Sequence, residues 1–235
     1  MNNTIKAVAL GLSLLLASVS VCYAQDFEKG VAAYNSGDYA TALREWRPLA
    51  DQGFANAQTN LGVMYANGQG LTQDDKEAVR LFALAAEQGV AIAQYFLGSM
   101  YAGGTGVTQD DKEAVKWYGL AAAQGNADAQ YFLGVMYENG QGVTQDYKEA
   151  ARLYGLAAAQ GVANAQHNLG GMYANGQGVI QDNVYAHMWW NIAASTGDAS
   201  AVKNRDIVAG KMTASQLEKA QDLARECVKK EYKGC

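Results

Sequence analysis

The chain has 235 residues, 49% hydrophobic and 17% charged, with 26 glycines and one proline. That balance excludes a disordered acidic tail, which cannot bury enough apolar surface to offset chain entropy, and the glycines lack the three-residue period of collagen. The formal charge is −5, and nothing resembles the basic stripe that phosphate backbones require, so nucleic acid and anionic lipid are poor candidates as partners.

Residues 1–24 have the anatomy of a secretory signal peptide. Lys6 supplies the positive start, and an uncharged run from Ala7 to Val21 follows. At 15 residues that run falls short of the span a membrane helix needs. Cys22 and Ala24 stand as the small residues at the cleavage site, so the mature chain is expected to begin at Gln25. Acylation of Cys22 is the competing reading, disfavoured by bulky Val21 before it. The periplasm is the expected destination, with secretion as the alternative, and no membrane insertion is expected after cleavage. Removal of 1–24 takes away Lys6 and no acid, moving the formal charge to −6. Residues 25–200 then hold 9 basic and 18 acidic groups, and residues 201–235 hold 8 and 5.

Residues 25–54 read as an N-terminal capping helix pair with a tight turn at Gly37-Asp38. Four copies of a 36-residue unit follow over 55–197, namely 55–89, 91–125, 127–161 and 163–197. Gly62, Gly98, Gly134 and Gly170 share one frame position; Tyr65, Tyr101, Tyr137 and Tyr173 share another; Ala78, Ala114, Ala150 and Ala186 a third. In the first helix of a copy, Ala57, Leu61, Gly62 and Tyr65 recur at three- and four-residue spacing and so fall on one face. Asn67 to Gly70 is a stop signal, since glycine adopts the left-handed conformation that ends a helix. The second helix opens at Asp74 with Glu77 three residues on, the spacing of a capping box, repeated at Asp110 with Glu113 and Asp146 with Glu149. Small residues at the crossing points predict close helix approach. One pair cannot bury its own apolar face, but stacked neighbours can. Residues 198–235 begin another pair and diverge into a polar helix from about Ser215, as terminal caps do.

The motif Ala-x-Ala-Gln-x-x-Leu-Gly-x-Met-Tyr-x-x-Gly-x-Gly-Val, then Asp-x-x-x-Ala and Ala-Ala-x-x-Gly, resembles the Sel-one-like repeat family, a branch of the tetratricopeptide-like proteins. The resemblance covers residues 55–197 strongly and the flanks loosely. It implies an all-α fold, a right-handed α-α superhelix of stacked helix-turn-helix repeats, and work as a protein-interaction scaffold or adaptor without catalysis.

Some cysteine-rich relatives of this fold bind or hydrolyse β-lactams, which supplies the alternative function. They carry a cysteine pair in each repeat, and these four repeats have none. Ser200-Ala201-Val202-Lys203 has the Ser-x-x-Lys spacing of serine β-lactamases but lacks the accompanying Ser-Asp-Asn and Lys-Thr-Gly elements. His167 reads as a surface variant and His187, beside Trp189 and Trp190, as a packed side chain. The acidic loops lack the alternating carboxylates of a calcium site, so neither metal nor cofactor is expected. Cys227 and Cys235, eight residues apart, are candidates for a disulfide in an oxidising compartment, with two unpaired thiols as the alternative.

By resemblance to the tetratricopeptide groove, the first helix of each pair lines the concave side and binds a protein or peptide. Its outward positions give one row at Asn56, Ile92, Asp128 and Asn164 and another at Thr59, Tyr95, Tyr131 and His167. Phe96 and Phe132 flank the second row, as Asn60 and Asn168 do in the outer copies, either as anchors for a partner or as side chains that fill the space between adjacent repeats. Residues vary at these positions while their neighbours stay fixed, as expected where packing does not dictate the side chain. Tyr95 and Tyr131 are expected to face solvent, so that truncating them spares stability.

Overall fold

The computed structural model describes residues 25–235; the signal-peptide reading and Cys22 lie outside them. The described residues form twelve α-helices. They are α1 (residues 25–35), α2 (Tyr39–Asp51), α3 (Ala55–Asn67), α4 (Asp75–Glu87), α5 (Ala91–Gly103), α6 (Asp111–Ala123), α7 (Ala127–Asn139), α8 (Tyr147–Ala158), α9 (Ala163–Asn175), α10 (Asn183–Ala194), α11 (Ala199–Ala209) and α12 (Ala214–Lys229). The helices fall into two compact units. The first takes the described residues up to Leu97 with Thr105–Thr108; the second takes Gly98–Gly104 and Gln109–Cys235.

Every repeat starts its second helix with the same aspartate. Asp74, Asp110, Asp146 and Asp182 each accept two backbone N–H bonds from the helix they open. The reciprocal half of the expected capping box is absent. The N–H of each cap aspartate goes instead to the carbonyl of the repeat's tyrosine, Tyr65, Tyr101, Tyr137 or Tyr173, at 2.9–3.0 Å. Glu77, Glu113 and Glu149 turn outward and pair with Arg80, Lys116 and Arg152 one turn on. A complete capping box closes at Thr213 and Gln216, where α12 begins.

The glycine after Leu in each first helix marks the crossing point. A Cβ on Gly134 would lie 2.8 Å from the Tyr154 ring, and one on Gly170 would lie 2.9 Å from Trp190. The aromatic ring of the second helix thus lies against the bare backbone of the first. Gly62 with Phe82 does the same in the first unit. Ala78, Ala114, Ala150 and Ala186 are fully buried behind these contacts.

Successive copies are tied by the motif glutamine. Gln58, Gln94, Gln130 and Gln166 are buried, and each Nε2 donates to a carbonyl eight residues back, at the end of the preceding second helix, at 3.1–3.2 Å. The side-chain oxygens of Gln58 and Gln130 accept from Gln88 and Gln160. In the last copy the donor position holds Thr196, whose hydroxyl is spent on the Ala193 carbonyl, and Gln166 Oε1 is buried without a partner among the described residues. Thr196→Gln is therefore expected to stabilise the second unit by about 1 kcal/mol, the worth of satisfying one buried acceptor. A urea titration followed by circular dichroism would read it. An unchanged midpoint would mean that the inserted amide does not reach Gln166.

Candidate functional site

In the second unit, α7 presents Asp128 and Phe132 as exposed residues and Tyr131 as half-buried, while α9 presents Asn164 exposed and His167 half-buried. In the first unit, Asn56 and Ile92 are exposed, and Tyr95 and Phe96 are half-buried. Thr59 departs from the expected outward row. It is buried, and its hydroxyl donates to the Ala55 carbonyl of its own helix. A short β-branched side chain folds back onto the helix where a tyrosine at the same frame position reaches beyond it.

The outward aromatics also do packing work. Phe96 stacks on Phe82 with centroids 5.0 Å apart, and Phe132 stacks on Tyr118 at 5.7 Å. Tyr131 lies against Phe132 and against Tyr154, at 5.0 and 5.8 Å. Burial, helped by the Glu138 carboxylate, pushes its phenol up from the ordinary tyrosine range. The expectation that Tyr131 can be truncated without cost is therefore wrong: part of its ring belongs to the core of the second unit.

The sequence reading missed a polar pocket of ≈ 370 Å³ in the second unit. Glu138 of α7, His167, Asn168, Gly171, Met172 and Asn175 of α9, Gln177, Trp190 of α10 and Asn204 of α11 line it. Tyr154 donates its hydroxyl to Glu138 Oε2 at 2.5 Å. Burial first, and that bond second, drive the Tyr154 phenol far above its usual range, so it stays a donor. His167 is held from below by Trp190, whose indole N–H donates to its backbone carbonyl at 3.1 Å. Its Nδ1 lies 2.6 Å from Asp198 Oδ2, and Asp198 Oδ1 accepts from the N–H groups of Ser200 and Ala201. One carboxylate thus caps α11 and fixes the imidazole on α9. Burial works to raise the Asp198 pKa, but the Ala201 N–H and His167 outweigh it and hold the carboxyl below its ordinary value. His167 is therefore a built part of this pocket rather than a surface variant, and the partner 31 residues away has no local spacing to betray it.

The remaining candidates fall elsewhere. Ser200 and Lys203 are exposed on α11, and the Ser200 backbone N–H serves the Asp198 cap. His187 is buried, its Nδ1 without a partner among the described residues, at a frame position that holds Val79, Val115 and Ala151 in the other copies. Burial, reinforced by Arg205, pushes its pKa down. Cys227 and Cys235 are joined in a disulfide with Cα atoms 5.5 Å apart. Among the described residues no three metal-ligating side chains gather, and no helix is long and apolar enough to cross a membrane.

The Sel1 repeat pattern matches residues 55–90, 91–126, 127–162 and 163–198. A protective antigen of uropathogenic Escherichia coli strains, displaying an SLR fold, superposes with a TM-score of 0.80 and 32% identity. That match covers 89% of this chain, and the chain spans about half (47%) of the Escherichia coli protein. A Sel1 repeat protein from Oxalobacter formigenes gives 0.69 and 30% identity over 88% of this chain and 77% of its own. An exopolysaccharide production negative regulator of Rhizobium leguminosarum bv. viciae is 37% identical over 57 residues, 24% of this chain and 21% of the regulator. The all-α fold of consecutive helix-turn-helix repeats is that of the SLR solenoids. With four matched copies built on the same glycine, glutamine and aspartate contacts, the chain belongs to the Sel1 repeat family, whose members generally serve as scaffolds for protein interaction.

Proposed function

We propose that this chain is an exported adaptor that binds a protein or peptide partner on the first-helix face of its repeats and performs no catalysis. The observation that carries this reading is the division of labour in the second unit. Residues constant in the frame, such as Gly134, Gln130 and Ala150, are buried in contacts between helices, whereas Asp128, Phe132 and Asn164 vary from copy to copy and are exposed. Exposed amides and carboxylates beside aromatic rings suit an extended segment, whose backbone they can hydrogen-bond while the rings supply anchoring area. The N-terminal segment and the Cys227–Cys235 bridge are what an oxidising compartment outside the cytoplasm would call for.

The test is capture from envelope extract with chain beginning at Gln25, identification by mass spectrometry, and titration of the purified partner. A triple variant, Asp128→Ala, Tyr131→Phe and Asn164→Ala, keeps the buried ring and removes the polar contacts. It is expected to unfold like wild type and to bind about 30-fold more weakly, a loss of roughly 2 kcal/mol. Equal binding by wild type and variant would take the site off this face.

A further inference from the structure

We propose that the Glu138 pocket receives a cationic side chain, arginine above all, from the partner segment. The inference rests on the peptide-binding reading above and names the chemistry of one contact.

Glu138 brings a negative charge to a wall without lysine or arginine. Its carboxylate is oriented by the Tyr154 hydroxyl and takes part in no ion pair among the described residues, whereas Glu77, Glu113 and Glu149 are each matched by a cation on their own helix. An occupant that excludes water from this carboxylate must supply positive charge, or the burial is unfavourable. Around it stand amides and an imidazole already tied to Asp198. Asn175 spends its Nδ2 on Gln177 and so offers its oxygen as an acceptor.

The pocket also breaks the repeat frame in two places. Where Glu138 stands, the other copies have Ala66, Ala102 and Ala174. Where Gly171 stands, they have Val63, Ser99 and Val135. A Cβ at Gly171 would meet no heavy atom within 4 Å, so packing does not require glycine there. A glycine inside a helix costs about 1 kcal/mol relative to alanine. What it yields here is room beside Glu138. In the first unit, where Val63 occupies that frame position, the depression it lines with Tyr34 and Trp46 is smaller, at ≈ 240 Å³, and mostly apolar. A planar guanidinium suits a fixed carboxylate with further oxygens around it, since it offers five donors in one plane.

The experiment uses the chain from Gln25 onward and two synthetic peptides that differ in one residue, Gly-Ser-Arg-Ser-Gly and the same peptide with citrulline, the neutral isostere of arginine. Side-chain amide and indole resonances in nuclear magnetic resonance spectra report binding. The arginine peptide is expected to shift the Asn168, Asn204 and Trp190 signals and to bind at least about tenfold more tightly than the citrulline peptide, with the difference shrinking as salt rises. Glu138→Gln keeps an oxygen for the Tyr154 hydroxyl and should abolish the preference. Gly171→Val should block both peptides while leaving the thermal midpoint equal to or above wild type. Equal binding of the two peptides, or a preference that survives Glu138→Gln, overturns the proposal. Failure here with a captured partner still lost in the Asp128, Tyr131 and Asn164 variant would remove the arginine contact and leave the adaptor reading standing. The opposite pattern would take the captured partner off the row of Asp128, Tyr131 and Asn164 and leave the arginine preference of the pocket standing.

Discussion

Gly178→Ala is expected to cost the second unit about 3 kcal/mol or more, well beyond the ordinary penalty for alanine in a left-handed turn. Gly178 sits at φ +70, and a Cβ there would run into the backbone carbonyl of Tyr147, the first residue of α8. The left-handed conformation alone costs an L-residue roughly 1–2 kcal/mol. Overlap with a backbone atom adds a further 1–3 kcal/mol or so, because no rotamer change can relieve it and the loop must lift off the helix. Gly197→Ala provides the calibration. It has φ +95 with no heavy atom within 4 Å of the added carbon, so it should lose only the conformational part. Chemical denaturation of both variants beside wild type would separate the two terms. If Gly178→Ala unfolds no earlier than Gly197→Ala, the docking of each loop on the preceding repeat is not a structural requirement. Gly142, set against Asp111 in the same way, should behave like Gly178.

That contact shows where reading the residues in order reaches its limit. The first glycine of Asn-Gly-Gln-Gly ends a helix by local backbone chemistry, and local chemistry is visible in a sequence. The second glycine is needed because another repeat's helix start lies against it, which depends on how copies stack. The motif glutamine is similar. Its periodicity marks it as structural, but its partner, a carbonyl eight residues back, follows only once the end of one helix and the start of the next are known to lie side by side. Asp74 and Glu77 fit a capping box by spacing, yet the tyrosine carbonyl had already taken the N–H that the glutamate would need.

The site was legible in outline and not in content. Frame variability picked out Asp128, Asn164 and the aromatic row, since a helix surface free of packing tolerates change. It could not see that Thr59 folds inward or that the Tyr131 ring is shared with Tyr154. Nor could it see the pocket, whose walls come from α7, α9, α10 and α11. A signal did exist: Glu138 stands where the other copies have alanine and Gly171 where they have valine or serine, and the meaning of both appears when they face one cavity.

Breaking the Cys227–Cys235 bridge is expected to lower stability by about 2–3 kcal/mol. Closing a loop of eight residues removes on the order of 8 cal/mol/K of chain entropy from the unfolded ensemble, about 2.5 kcal/mol at room temperature. The bridge also closes a turn whose backbone is unfavourable, although the Tyr232 N–H donates to the Cys227 carbonyl at 2.9 Å within it. Glu231 and Tyr232 follow one another at φ 51 and 64, a conformation unfavourable for residues with side chains. That turn lays Tyr232 on Gly161, at the end of α8, and Cys227 is buried on α12 against the core that includes Ile192 and Ala224. Without the bond, the turn can relax and the end of α12 should fray, which partly offsets the entropic loss by releasing strain. Cys235→Ser, or wild type with dithiothreitol, should therefore unfold earlier, with hydrogen exchange accelerated first over Val228 to Tyr232. The two treatments should not add, because both act on one bond. An unchanged midpoint under reduction, or two free thiols in protein recovered from its native compartment, would show that α12 is held by its apolar face alone.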